Sequence, residues 1–388
     1  MPATLSPRDI LAHLISFPTV SRDTNLPLVD WVEGYLASHG IESHRWPDPD
    51  QPHKAALFAH VGPWEEGAVV LSGHTDVVPI DGQPWTSDPF ELTERDGKLY
   101  GRGTTDMKGY DALAIWALVE AHLRDLKTPL QLALSFDEEV GCTGAPPMIE
   151  AMQPILPKGE AVIVGEPSMM QAVTGHKGGQ GFNVNVWGFE VHSSIMHTGV
   201  NAIMEAAKII AWSNEVNAQE QAREPSAVAA MFDPPWTTLH TGVIQGGTAA
   251  NITAKHCSFD IGYRATPDAD REAWTQMVLG KIKEVEAEMQ AVHPEAWIEV
   301  DQRFGVPGLK PEENGAAEGM VRAITGDNAT HVVSYGTEAG QFQDAGYSAV
   351  VCGPGDIAQA HQPDEYVTLE QFNAGHDFMR KLVDRLSA

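Results

Sequence analysis

The chain has 388 residues, 43% of them hydrophobic and 20% charged, which describes a globular protein too long for one ordinary core and points to two domains. Its 25 basic residues against 53 acidic ones leave a net charge of −28, which argues against nucleic acid as a partner. No apolar run is long enough to span a membrane, so no membrane association is expected.

From the N-terminus, Met1 to Ser6 shows no basic stretch followed by an apolar one, so no signal peptide is expected. Ser6 and Pro7 open a helix to residue 15, with proline at its first position, and residues 26–38 read as a second. Residues 67–72 form an apolar strand ending at Gly73-His74-Thr75-Asp76, and residues 111–124 an apolar helix. Residues 130–136 are a strand ending at Asp137-Glu138-Glu139, and residues 161–164 a strand ending at Gly165-Glu166-Pro167. After a long interval, residues 347–352 form another, followed by Gly353-Pro354-Gly355. Strands alternating with helices predict an α/β fold built on a mostly parallel sheet. Ligands bind outside the carboxyl ends of such strands.

The rhythm changes between residues 180 and 304. Residues 182–186 alternate with period two, as a half-solvated strand does. A helix at 201–213, strands at 238–244 and 256–264, a long helix at 271–289 and a strand at 297–302 follow. The order βαββαβ is the ferredoxin-like split unit. The expected organisation is a discontinuous domain, residues 1–179 and 305–388, interrupted by an α+β domain, residues 180–304. Cys142, Cys257 and Cys352 are widely spaced and odd in number, so they suggest reduced thiols in a cytoplasmic protein rather than a disulfide framework.

Five candidate metal ligands, His74, Asp106, Glu139, Glu166 and His361, are scattered along the chain, and most follow a strand-like run. Each has an ordinary reading by itself. A lone His-x-Asp is a hydrogen-bonded turn, Asp137-Glu138-Glu139 a solvated acidic turn, and the run from Gly101 to Gly109 a glycine loop before a helix. Glycine pairs such as Gly178-Gly179 form no nucleotide fingerprint. The joint pattern is harder to dismiss, because carboxylates and imidazoles in this combination are what a two-metal hydrolase needs.

The motifs Ser72-Gly73-His74-Thr75-Asp76-Val77-Val78-Pro79, Tyr100-Gly101-Arg102-Gly103, Asp106-Met107-Lys108-Gly109, Asp137-Glu138-Glu139 and Gly165-Glu166-Pro167 resemble those of the M20 family of zinc aminoacylases and peptidases. His192-Ser193-Ser194 and Gly199-Val200-Asn201-Ala202-Ile203 are similar to that family's lid domain. Within the family, Asp81-Gly82-Gln83-Pro84-Trp85 and Thr337-Glu338-Ala339-Gly340-Gln341-Phe342 resemble the deacetylases of amino acids. The desuccinylases usually carry Pro-Gly-Asp near the first stretch and a Gly-rich Thr-Ser segment near the second, and this chain has neither.

The resemblance implies two Zn2+ ions per subunit, with Co2+ a possible substitute. His74 and Glu166 would hold one, Glu139 and His361 the other, and Asp106 would bridge them. Asp76 would accept the other ring proton of His74, and Glu138 would act as general base for the attacking water. Glu138 is expected to point away from Glu139 and to be no ligand. His192, ahead of the weaker candidate His197, would stabilise the oxyanion from the partner subunit of a homodimer. Asn251 and Arg264 would contact the substrate carboxylate, with a surface salt bridge as the alternative for Arg264. Glu338 would either pair with a cationic substrate side chain or order its own loop. A cis peptide is expected between Asp106 and Met107. The implied activity is hydrolysis of a small N-acyl amino acid. The alternatives are a different acyl group within the family, or a non-catalytic binding dimer.

Overall fold

Residues 4–388 are described by a computed structural model. Ser6 accepts a hydrogen bond from the Asp9 amide while Asp9 reaches back to Ser6, a capping box that starts α1 (Pro7–Ile15). Asn25 precedes α2 (Leu26–Ser38) without capping it; its side chain instead bonds Ala55 and Thr75. Next come β1 (Ser43–Pro47), β2 (Ala55–Val61), β3 (Ala68–His74) and the short pair β4 (Thr93–Arg95) and β5 (Lys98–Tyr100). Helix α3 (Lys108–His122), β6 (Leu130–Ser135), α4 (Ala145–Met152), β7 (Gly159–Pro167) and β8 (Val173–His176) follow.

The middle of the chain runs β9 (Gly178–Trp187), α5 (Ala202–Ala222), β10 (Thr238–Gly246), β11 (His256–Ala265), α6 (Arg271–Val292) and β12 (Trp297–Val306). The remainder is α7 (Ala316–Thr325), β13 (His331–Val333), α8 (Ala339–Asp344), β14 (Ser348–Gly353), β15 (Tyr366–Thr368) and α9 (Leu369–Leu386).

The chain divides into two compact units. The first comprises the described residues to Gly175, with Pro311–Val332 and Thr337–Ala388. Its large sheet has the order β1-β2-β6-β3-β7-β14-β8-β13. The central strands β6-β3-β7-β14 pair in parallel, while β1-β2, β2-β6 and β14-β8 are antiparallel. The central strands are buried along their length, which is why they read as plain apolar runs. Leu71, Leu113, Leu132, Ile163 and Val350 are fully buried in the core between this sheet and its helices.

The second unit, His176–Lys310 with Val333–Gly336, carries a four-stranded antiparallel sheet of order β10-β11-β9-β12. Burial alternates residue by residue along β9, and its inward set, Phe182, Val184 and Val186, packs with Ile209, Val278 and Ile282 of the two helices. This is the βαββαβ arrangement that the period-two pattern predicts.

Candidate functional site

The carboxyl ends of the four parallel strands converge on one cluster. His74 closes β3, Glu138 and Glu139 follow β6, Glu166 stands near the end of β7, and His361 lies in the loop beyond β14. Asp106 comes from the loop ahead of α3, and its peptide bond to Met107 is cis, as expected. His74 Nε2 lies 3.1 Å from Asp106 Oδ1 and 3.6 Å from Glu166 Oε1. His361 Nε2 lies 3.2 Å from Asp106 Oδ2 and 2.9 Å from Glu139 Oε2. Asp106 thus turns one oxygen to each histidine, and the five side chains form two groups sharing a carboxylate.

Glu138 is placed differently from the expectation. Adjacent side chains on a turn need not diverge, and here both carboxylates reach the cluster: Glu138 groups with His74 and Glu166, and Glu139 with His74 and Asp106. One Glu138 oxygen, Oε1, accepts the Cys142 thiol at 3.1 Å. Asp76 serves the turn as much as the histidine. Its carboxylate accepts from the amides of Glu138 and Glu139 at 3.1 and 3.3 Å and from the Ser21 hydroxyl at 2.7 Å. His74 Nδ1 lies 2.9 Å from the Asp76 carbonyl but 3.5 Å from its carboxylate, so the carbonyl is the nearer partner for that ring nitrogen. Behind the turn, the buried pair Lys54–Asp137, 2.8 Å apart, holds Asp137 at φ 55°.

The electrostatics show what the cluster suits. Burial, reinforced by the facing carboxylates, pushes Glu138 up to about 8 and Glu139 up to about 7, and raises Glu166 well above its ordinary value. Hydrogen bonds to Asp106 and Glu139 carry His361 up to about 10. Burial opposes ionisation of Asp106, but its bonds to the two histidines outweigh that and hold it low. Glu139 Oε1 and Glu166 Oε1 are buried without a hydrogen-bond partner among the described residues. Acceptors left unpaired in a crowd of carboxylates are costly unless a cation meets them. The donor set of imidazole and carboxylate therefore fits divalent metal ions.

The other predicted residues are not part of this cluster. Glu338 is fully buried in the first unit, where its two oxygens accept from the hydroxyls of Ser72 and Ser135 at 2.6 and 2.7 Å. That burial corrects the substrate-pairing alternative: no face of Glu338 is open to a substrate cation, and it braces β3 and β6 instead. His192, His197, Asn251 and Arg264 belong to the second unit and are exposed. The Ser194 amide donates to His192 Nδ1 at 3.2 Å, which leaves the proton of a neutral ring on Nε2. The Asn251 carbonyl accepts from the Ser193 amide at 2.9 Å, joining its loop to that of His192. Arg264 forms no ion pair among the described residues, which leaves its guanidinium available to an anion. Sequence reasoning did not single out Ser21, Lys54, Cys142 or Glu365. The partners of Ser21, Lys54 and Glu365 are main-chain groups or side chains distant in sequence, so no local motif marks them, while Cys142, four residues past Glu138, was read only as a reduced thiol.

The profile of peptidase family M20/M25/M40 matches residues 70–385. An acetylornithine deacetylase of Myxococcus xanthus is 36% identical over 374 residues, covering 94% of this chain and 93% of that protein. An M20 family metallo-carboxypeptidase from Sulfolobus solfataricus shares the fold, with a TM-score of 0.80 over 99% of each chain at 15% identity. A Bacillus subtilis protein described as a dinuclear metal-binding peptidase of family M20 superposes with a TM-score of 0.62 over 97% of this chain and 96% of its own, at 15% identity.

Proposed function

The chain belongs to peptidase family M20/M25/M40, and from that premise we propose that it hydrolyses the amide of N2-acetyl-L-ornithine to acetate and L-ornithine, a step of arginine biosynthesis. The observation that carries the reading is the pair of ligand groups sharing Asp106. The relative from Myxococcus xanthus and the stretches around Gln83 and Glu338, which resemble acetylornithine deacetylases, direct it toward this substrate.

His74 and Glu166 would hold one ion, Glu139 and His361 the other, with Asp106 between them, and zinc fits these donors. When bound, such ions lower the pKa of a water toward about 7 and polarise a carbonyl. The chain's own groups do the rest. Glu138 takes the proton of the attacking water and returns it to the departing α-amine. The Cys142 thiol holds one Glu138 oxygen, leaving the other for the water. Asp76, tied to Ser21, fixes the turn that aims both glutamates. His192, with its proton on Nε2, is suited to donate to the developing oxyanion. Arg264 and Asn251 would receive the α-carboxylate. In this reading the second unit joins two copies, and His192 serves the site of the other copy.

Amine release measured over acetylornithine, succinyl-diaminopimelate and acetylmethionine tests the substrate. The expected result is a kcat/KM for acetylornithine at least about tenfold above the others, a difference of about 1.4 kcal/mol. Preference for the succinylated substrate, or no turnover of any, would overturn it.

A further inference from the structure

Behind Asp106 lies a buried ion pair that the proposed reaction does not use. Arg102 and Glu365 are 0% and 1% exposed, with Nη1 and Oε2 2.7 Å apart. The remaining bonds of Glu365 go to one loop. Its Oε2 accepts from the Gly103 amide at 3.0 Å, and its Oε1 from the amides of Thr105 and Asp106 at 2.9 and 3.1 Å. The loop that carries the shared aspartate is therefore wrapped around a carboxylate from the segment just past His361. Arg102 extends the arrangement. It donates to the Gln362 carbonyl at 3.3 Å and to Gln83 Oε1, and Gln83 Nε2 donates to the carbonyl of His361 at 2.9 Å. His361 needs such a tether, because it sits at φ 63° with a side chain that is 53% exposed.

We propose that Glu365, Arg102 and Gln83 are positioning residues that act unequally on the two halves of the metal site. Glu365 fixes Asp106, which both ions share, so it governs both. Gln83 fixes His361, which only one ion uses, so it governs that ion alone. The inference rests on the two-ion reading of the site. Its physical basis is that ligand atoms held in place by outer hydrogen bonds lose less freedom when an ion arrives, and removing such bonds typically costs about 10–100-fold in affinity.

Stepwise metal binding to the whole chain after metal removal tests this, with Zn2+ by equilibrium dialysis and Co2+ by absorption. The proteins are wild type, Gln83→Leu and Glu365→Gln, each with a melting curve of the metal-free form. Gln83→Leu should retain one ion at wild-type affinity and bind the second about 10–100-fold more weakly. Its metal-free melting temperature should fall slightly, since the buried Arg102 loses the acceptor of its Nη2, and kcat should recover in excess Zn2+ with KM unaltered. Glu365→Gln should weaken both ions. Should the buried variant not fold, Gln83→Leu decides alone, since Gln83 is partly exposed on a loop. If Gln83→Leu binds both ions like wild type, or loses both equally, the inference is wrong. If wild type itself binds fewer than two ions, the two-ion reading falls and takes this inference with it.

Discussion

Glu138 and Glu139 are sequence neighbours with different surroundings, and single substitutions separate their roles. Glu138→Gln keeps the shape but cannot accept a proton, so kcat should fall about 10²–10⁴-fold, with metal content unchanged by elemental analysis. Loss of an ion would instead make Glu138 a ligand of the half that holds His74 and Glu166. Glu338 offers the complementary test. Glu338→Gln removes a charged acceptor from two buried serine hydroxyls, and a melting curve should show a loss of about 2–3 kcal/mol. The ratio of kcat/KM for acetylornithine to that for acetylmethionine should stay the same. A collapse of that ratio would return Glu338 to substrate binding.

At the level of elements, the site depends on how closely α3 approaches β7. A side chain added at Gly165 would place its Cβ 1.9 Å from the Tyr110 ring, whose hydroxyl donates to the Ile163 carbonyl at 2.8 Å. Gly165→Ala should therefore destabilise the chain by about 1–3 kcal/mol, and an unchanged melting temperature would refute that packing. Strand β8 carries a pH-sensitive element. Burial lowers the His176 imidazole from 6.5 to about 4. Between these values the unfolded chain binds the extra proton, so stability should fall as pH drops from above 6.5 to 4, by about 3 kcal/mol. His176→Gln should flatten that slope in denaturant titrations; an identical slope would assign it elsewhere. Much of this level was legible in sequence. Strands β3, β6, β7 and β14 stand out as continuous apolar runs because parallel strands are covered on both faces. Helix α5 runs to Ala222, past the expected residue 213, because good helix formers continue the turn beyond the apolar stripe and Val216 is still buried. The three-residue strands β4, β5, β13 and β15 are too short to show a period. The five candidate ligands were legible because most of them end or follow a recognisable strand-like run. The carboxylate of Glu365 was not, because its partners are amides of a loop far upstream.

For the whole molecule, metal and assembly can be tested without new structures. Ions that bind only the folded chain stabilise it, by about 2.7 kcal/mol at a hundredfold excess over Kd, so chelation should lower the melting temperature and added Zn2+ should restore it. No shift in either direction would speak against ions in the cluster. If the copies pair and exchange His192, mixing His192→Ala with Glu138→Gln subunits should restore a substantial fraction of activity, since one site of each mixed dimer carries neither lesion. No recovery despite proven exchange would confine His192 to its own copy or remove it from the reaction. The order β7-β14-β8 has a further consequence, for synthesis. Strand β14 fills a slot between two strands made long before it, and the whole second unit is translated in the interval. Until residues 348–353 emerge from the ribosome, β7 has no partner on that side. A chain released early exposes an unpaired edge in its most apolar layer, so truncation ahead of β14 should yield an aggregating product rather than a smaller, weaker enzyme.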